Sequence, residues 1–212
     1  MKKYIQINQH VYDELAQEYK EKRKEFIAIN KKITTPFINY LQKTFSFINL
    51  LEIGPGAGTE LAYFNDQGFK TTAIDVSKNM IVVAKEISPK SKFIHADFLE
   101  YDFGQTKFEG IYAKVLIHLF PKNDAILVLQ KIHYLLKSNG IAFVGDSIYE
   151  KSEEGFAQKA DYSKLLKRFR KNWVEKELVK EVCKAKFKIL KKSHGFDQKR
   201  KKKWLRLYLQ KI

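Results

Sequence analysis

Phe47-Ile48-Asn49-Leu50-Leu51-Glu52-Ile53, followed at once by Gly54-Pro55-Gly56-Ala57-Gly58, is the stretch that decides the fold. A short, nearly continuous apolar run stopped by glycine is the pattern of a strand buried on both faces of a parallel sheet. Glycines placed there let the chain turn sharply into a helix. They also let the backbone approach a ligand closely, with helix N–H groups aimed at an anion. The spacing is Gly-x-Gly-x-Gly and no Gly-Lys-Ser/Thr follows, which argues against phosphate-cradling nucleotide hydrolysis. Asp75 closes the next apolar segment, Thr71–Asp75, 21 residues after Gly54. At that spacing a carboxylate meets ribose hydroxyls.

Outward from this turn the chain alternates. After the strand at 71–75 come a helix at 77–87 and a strand at 92–96; strands at 109–117 and 140–148 flank a helix at 121–136. Such alternation means βαβ units and a doubly wound α/β sheet with helices on both faces. Upstream, Val11, Leu15, Ala16 and Tyr19 recur at helical spacing, giving an amphipathic helix at about 10–28. A second is expected at about 34–45, with Pro36 in its first turn. Helical patterns near 160–170 and 173–185 lead to two late strands, 187–193 and 201–212. Trp204, Leu205, Leu207 and Leu209 mark a closing strand, with Arg206 and Tyr208 alternating outward or toward an edge, and Lys199–Lys203 in or beside the hairpin turn. Cys183, with Leu178, Val179 and Val182, is expected on a buried helix face.

The chain has 212 residues, 44% of them hydrophobic, enough for a sizeable core. One cysteine excludes a disulfide scaffold and a Cys-clustered zinc site, and suits a reducing cytosol. The five histidines lack partners at ligand spacing, so no metal is assigned. No apolar run approaches the ~18–20 residues of a membrane span. MKKYIQINQH has no apolar stretch of the signal-peptide kind, so a cytoplasmic location is expected. The net charge of +16 is lopsided: residues 151–212 hold 21 of the 40 basic residues and 7 of the 24 acidic ones. That field suits a polyanion. Thirty-five of the 40 are lysine, however, and the bland reading, lysines filling solvated positions, is preferred.

LLEIGPGAGTEL, AIDVSKNMIVVAKE and HADFLEYDF, in that order and spacing, resemble motifs I, II and III of the class I S-adenosylmethionine-dependent methyltransferases. EGIYAKVLIHLF and LLKSNGIAFVGDS resemble the fourth- and fifth-strand motifs, so the likeness covers about residues 45–148. VYDELAQEYKEKR resembles the helix that caps the site in small-molecule members. The resemblance implies a Rossmann-like seven-stranded sheet of order 3-2-1-4-5-7-6, its last strand antiparallel. It divides a single domain into capping helices (1–45), a cofactor-binding core (46–148), and an acceptor-side insert with the hairpin (149–212).

The resemblance also implies roles. Glu52, with Gly54, Pro55, Gly56 and Gly58, would border the methionine half of S-adenosylmethionine and of its product S-adenosylhomocysteine. Asp75 would take the ribose hydroxyls, Val76 the adenine face, with Met80 beside them. Asp97 would accept from the adenine amino group and the Phe98 N–H would reach a ring nitrogen. Lys114 and Val115 would pass the methionyl end mainly through backbone atoms. Tyr19 would close the site near the reacting methyl. His118, just past the fourth strand, is either a general base or a packing residue.

Absent motifs narrow the acceptor. No Pro-Pro turn follows the fourth strand, no cysteine stands near the site, no paired glutamates lie between Gly110 and Pro121, and no carboxylate-rich magnesium site is visible. A small-molecule acceptor, methylated on oxygen, nitrogen or carbon, is the leading reading. Lys164, Lys167, Arg168, Arg170 and Lys171 in the insert could favour an acidic acceptor, although a solvated helix face is their default. An RNA or protein methyltransferase docking through the basic C-terminal third, and an inactive cofactor-binding regulatory module, are the alternatives. Lys186-Phe187 stands where relatives carry Gly-Phe, so a different turn geometry is expected there.

Overall fold

The computed structural model describes residues 1–159, 162–198 and 200–212. In chain order it places α1 (Lys3–Lys22), a 3-10 turn (Arg23–Phe26), α2 (Ile27–Thr44), β1 (Asn49–Ile53), α3 (Thr59–Asp66), β2 (Lys70–Asp75), α4 (Lys78–Ile87), β3 (Lys92–His95) and β4 (Phe108–Lys114). A second 3-10 turn (Ile117–Leu119), α5 (Lys122–Leu135), β5 (Leu136–Ile148), β6 (Glu153–Lys159), β7 (Leu166–Asn172), α6 (Glu175–Lys184), β8 (Phe187–Asp197) and β9 (Lys202–Lys211) follow.

Seven strands form one sheet in the order β3-β2-β1-β4-β5-β9-β8. Counted within the sheet this is 3-2-1-4-5-7-6, as expected. β1 pairs parallel with β2 and β4, and β4 with β5, whereas β9 runs antiparallel between β5 and β8. Double-sided burial explains the apolar runs. On one face Ile111, Ala113, Ala142 and Val144 pack with Val128, Leu129 and Ile132 of α5 and Val182 of α6. On the other, Leu50, Tyr112 and Phe143 pack with Phe37 and Leu41 of α2 and Phe64 of α3. Gly110 in β4 lets α2 come close, since a Cβ there would stand 2.9 Å from Leu41.

Several expectations are corrected. The helices at 10–28 and 34–45 are α1 and α2, which begin earlier and meet at a 3-10 turn. Pro36 therefore lies inside α2 rather than in its first turn. The hydroxyls of Thr34 and Thr35 bond the carbonyls of Asn30 and Lys31 beside it. The strand at 109–117 stops at Lys114, because Val115 turns with a φ of +58°. Tyr208 is buried, not outward: it packs on Phe143 with ring centroids 5.2 Å apart and donates to the Ile33 carbonyl at 2.8 Å. Cys183 is exposed, because Leu178, Val182 and Ala185 set the buried stripe of α6 and position 183 lies off it.

The helix expected near 160–170 is a strand. β6 and β7 form a separate antiparallel hairpin, with Phe156 opposite Phe169. The side-chain amide of the buried Asn8 of α1 explains the change: it accepts from the Phe169 N–H at 2.8 Å and donates to the Leu119 carbonyl at 3.2 Å. A tertiary partner for the edge of β7 thus overrides a weak helical pattern. Ala160 and Asp161 of the insert, and Lys199 of the basic run, lie outside the described residues. At Lys186 the φ is +63°, so the turn keeps the left-handed geometry that glycine would favour.

Candidate active site

β1 delivers Glu52, 2% exposed, and Ile53 to the C-terminal edge of the sheet, where the chain reverses into α3. Gly54 turns at a φ of +68° and donates to the Ile74 carbonyl at 2.9 Å, tying the turn to β2. Gly56 follows at +54°. Side chains other than glycine rarely adopt these angles. Gly58, at a φ of +79°, also serves packing. A Cβ there would stand 2.9 Å from the Ala84 carbonyl of α4, and Gly58 lines no part of the cavity beside the turn.

That cavity, about 670 Å³, runs along the C-terminal ends of β1, β2, β4 and β5 and under α1. The size is that of small-molecule sites, which span roughly 300–1,000 Å³. Glu52, Gly54, Pro55, Gly56, Asp75, Val76, Met80, Asp97, Phe98, Lys114, Val115, His118 and Tyr19 all line it. Only Gly58 of the expected residues stays out.

Two carboxylates reach it with an oxygen unspent. Glu52 Oε2 and Asp97 Oδ2 are both buried and without a hydrogen-bond partner. Burial, together with the nearby Glu60 carboxylate, pushes the Glu52 carboxyl well above the usual carboxylate range, with Lys114 pulling the other way. Asp97 is raised mainly by burial, while its Oδ1 accepts from the Leu99 N–H at 2.9 Å. A buried acceptor with nothing to accept from is costly unless a ligand donates to it. Asp75 accepts from the Ser77 N–H at 2.8 Å, and burial lifts its pKa to about 6.

Sequence reasoning missed two supports. Asp13 of α1 accepts from the Ser77 hydroxyl at 2.6 Å and from the Asn79 N–H at 3.1 Å, so it pins α1 to the start of α4 beside Asp75. Glu60, in the first turn of α3, is ion-paired with Lys114. The Lys114 contribution is therefore its ammonium as well as its backbone. Neither support carried a signal at a distance in sequence, because each partner comes from another element.

At the other end of the cavity stands His118, 2% exposed. Its N–H and its Nδ1 both lie 3.0 Å from Asp146 Oδ2, and its Nε2 is 2.9 Å from Arg168 Nη1. Arginine can only donate, so Nε2 accepts and the ring proton sits on Nδ1, donated to Asp146. Burial holds the imidazole neutral, its pKa lowered to about 4 although Asp146 opposes this. Burial raises the Asp146 carboxyl, but His118 outweighs it and holds the acid below its usual range. Arg168 also donates to the Tyr12 hydroxyl at 3.0 Å. Tyr12 meets Tyr19 edge-on at 6.0 Å, and Tyr19 stacks on Tyr162 at 4.5 Å, so aromatic rings from α1 roof the cavity.

The glycine turn, the strand-end carboxylates and the sheet order agree with what the comparisons find: residues 50–140 match the model of a methyltransferase domain family. Among particular proteins, it is 27% identical over 103 residues to an uncharacterized methyltransferase of Alkaliphilus oremlandii, covering 49% of this chain and 47% of that one. It is 28% identical over 141 residues to an uncharacterized methyltransferase of Bacillus cereus, covering 66% and 64%. The chain thus spans less than two thirds of either relative's length. In fold it is similar to the 1,6-didemethyltoxoflavin-N1-methyltransferase of Burkholderia thailandensis, crystallised with 1,6-didemethyltoxoflavin and S-adenosylhomocysteine. The TM-score is 0.68 at 19% identity, over 100% of this chain and 92% of that one. No helix among the described residues is long and apolar enough to cross a membrane.

Proposed function

We propose that the chain binds S-adenosylmethionine in this cavity and transfers its methyl group to a small-molecule acceptor. The observation that carries the reading is the pair of unspent, buried carboxylate oxygens, Glu52 Oε2 and Asp97 Oδ2, lining one cavity on either side of Asp75. An ammonium, a sugar diol and an aromatic amine are the donors such a row of acids suits. When bound, S-adenosylmethionine supplies an electrophilic methyl on a sulfonium, open to in-line displacement.

The protein's tasks are then to bind, orient and exclude water. In this reading Glu52 holds the amino-acid ammonium and Asp75 the ribose hydroxyls, while Asp97 and the Phe98 N–H hold the adenine. Val76 and Met80 line the nucleoside side, and Lys114, paired with Glu60, offsets the repulsion between Glu60 and Glu52 and so favours an ionised Glu52. The Tyr12–Tyr19–Tyr162 roof keeps solvent out. His118 is the group able to accept a proton from an acceptor hydroxyl or amine, at Nε2, once Arg168 yields that atom. Asp146 then stabilises the imidazolium through Nδ1–H.

The test is direct. Calorimetry should show one S-adenosylhomocysteine site per chain, and Asp97→Ala should weaken it by about 1–3 kcal/mol, the range for stranding polar partners. A folded protein that ignores both S-adenosylmethionine and S-adenosylhomocysteine refutes the reading. Transfer of a labelled methyl group to any acceptor in a metabolite panel, lost in His118→Ala with cofactor affinity kept, supports the catalytic part.

A further inference from the structure

In a chain with 35 lysines and five arginines, all five arginines, Arg23, Arg168, Arg170, Arg200 and Arg206, line the one cavity described above. Lysines filling solvated positions do not account for that segregation. Arg168 and Arg170 stand at the His118 end, and Arg206 lines the same cavity from the β8–β9 hairpin. Arg168 and Arg170 share a face of β7, where side chains two apart point the same way. Arg206 comes from β9, opposite Gly145 of β5.

Their counter-charge is only at a distance: Asp146 attracts Arg170 without pairing with it. Among the described residues none of these three guanidiniums has a carboxylate within ion-pairing distance. The nearby acids are engaged elsewhere, Asp146 with His118 and Asp197 with Arg200. Arg168 is 6% exposed and spends Nη1 on His118 and Tyr12. Arg170 lies over the Tyr149 ring at 4.6 Å and donates to the Ser147 hydroxyl at 3.3 Å, but its Nε is buried with no partner. Arg206 lies across Gly195, where a Cβ would stand 2.3 Å from its Nη2. Arg168 is buried and Arg170 and Arg206 are half-buried, so leaving them without an ion pair is costly, and a guanidinium's planar fork matches the two oxygens of a carboxylate or phosphate.

We propose that this lobe binds an anionic group, a carboxylate or a phosphate, on Arg168, Arg170 and Arg206, and that the methyl acceptor carries it. The second clause rests on the methyl-transfer reading; the anion site itself does not. An anion that competes for Arg168 also draws a donor off His118 Nε2, so the acceptor's own charge frees the base.

The experiment is calorimetric titration of the full chain, with and without saturating S-adenosylhomocysteine, using benzoate, inorganic phosphate and the neutral isostere benzamide. One anion site is expected, with benzamide at least about tenfold weaker than benzoate. The stronger of phosphate and benzoate names the acceptor's group. Arg170→Gln and Arg206→Gln should each weaken the anion about tenfold or more, while Lys167→Ala, at an exposed residue of β7 that does not line the cavity, leaves it unchanged. Unaltered S-adenosylhomocysteine affinity shows that each variant is folded. Should Arg170→Gln fail to fold, Arg206→Gln on the late hairpin decides. Equal binding of benzoate and benzamide overturns the proposal, as does equal loss in Lys167→Ala and the two arginine variants. So does a single-stranded RNA that binds through Lys167 and is not displaced by phosphate. Anion binding that survives in a chain blind to S-adenosylhomocysteine leaves this site standing and removes the methyl-transfer reading alone.

Discussion

Replacing Glu52 by glutamine should move two measurements in opposite directions. Glu52 is 2% exposed, its Oε2 has no donor, and the Glu60 carboxylate is near. In the free protein such a group works against folding, at about 1–3 kcal/mol for a buried polar atom left unsatisfied. The neutral, isosteric amide sheds most of that, so the free variant should be more stable by about 1–2 kcal/mol near neutral pH. The pH dependence carries the same sign. The folded carboxyl binds its proton more tightly than the unfolded one, so its contribution is fully present below the unfolded pKa and lost as pH rises toward the folded value. Glu52→Gln should flatten that decline. Ligand affinity should fall instead, because a hydrogen bond between charged groups is worth about 1.5–3 kcal/mol, or about ten- to a hundredfold. Urea unfolding without ligand and calorimetry with S-adenosylhomocysteine read the two effects. A variant that is less stable and binds unchanged would refute the assignment, since Glu52 would then be a structural acid with a partner of its own.

Three further outcomes are expected. For His118, buried and neutral with a pKa lowered to about 4, stability is present above the unfolded value near 6.5 and lost as pH falls toward 4. The gap between wild type and His118→Gln should therefore change by about 3 kcal/mol across that window, read by urea unfolding at several pH values, and a constant gap would contradict it. Lys186→Gly should raise stability by about 1 kcal/mol, because the left-handed φ of +63° strains any residue with a Cβ; a lower urea midpoint would show that the Lys186 side chain matters more. Asp13→Ala should weaken S-adenosylhomocysteine several-fold without touching it directly, by freeing α1 from the start of α4. A thermal melt shifted with affinity unchanged would confine Asp13 to stability.

The parts legible in the sequence were those where one segment carries its own signal. β1, β2, β4 and β5 are apolar on both faces, and Gly54, Gly56 and Asp75 announce themselves by spacing, whereas Asp97 was implied only by the family resemblance. The illegible parts need two distant segments. β7 reads as a weak helix because its partner, the Asn8 amide, lies in α1. Gly58 has the same signature as its neighbours, yet its reason is the backbone of α4. Arg168 looked like a solvated charge until the hairpin turned it onto His118. The Cys183 misreading is of a different kind: a helical wheel with Leu178, Val179 and Val182 cannot tell the buried stripe from its border.

Two of the side-chain bonds that fasten α1 reach opposite ends of the cavity. Asn8 stitches it to β7 on the arginine side, and Asp13 stitches it to α4 on the nucleoside side. Both stitches lie on one rigid rod, Lys3–Lys22, whose tyrosines are the ceiling. Tilting the rod far enough to admit a molecule at one side loosens the seam at the other. Under the proposed methyl transfer, the two ends of the cavity would therefore share one door, and spent donor and finished product would leave through the same opening event.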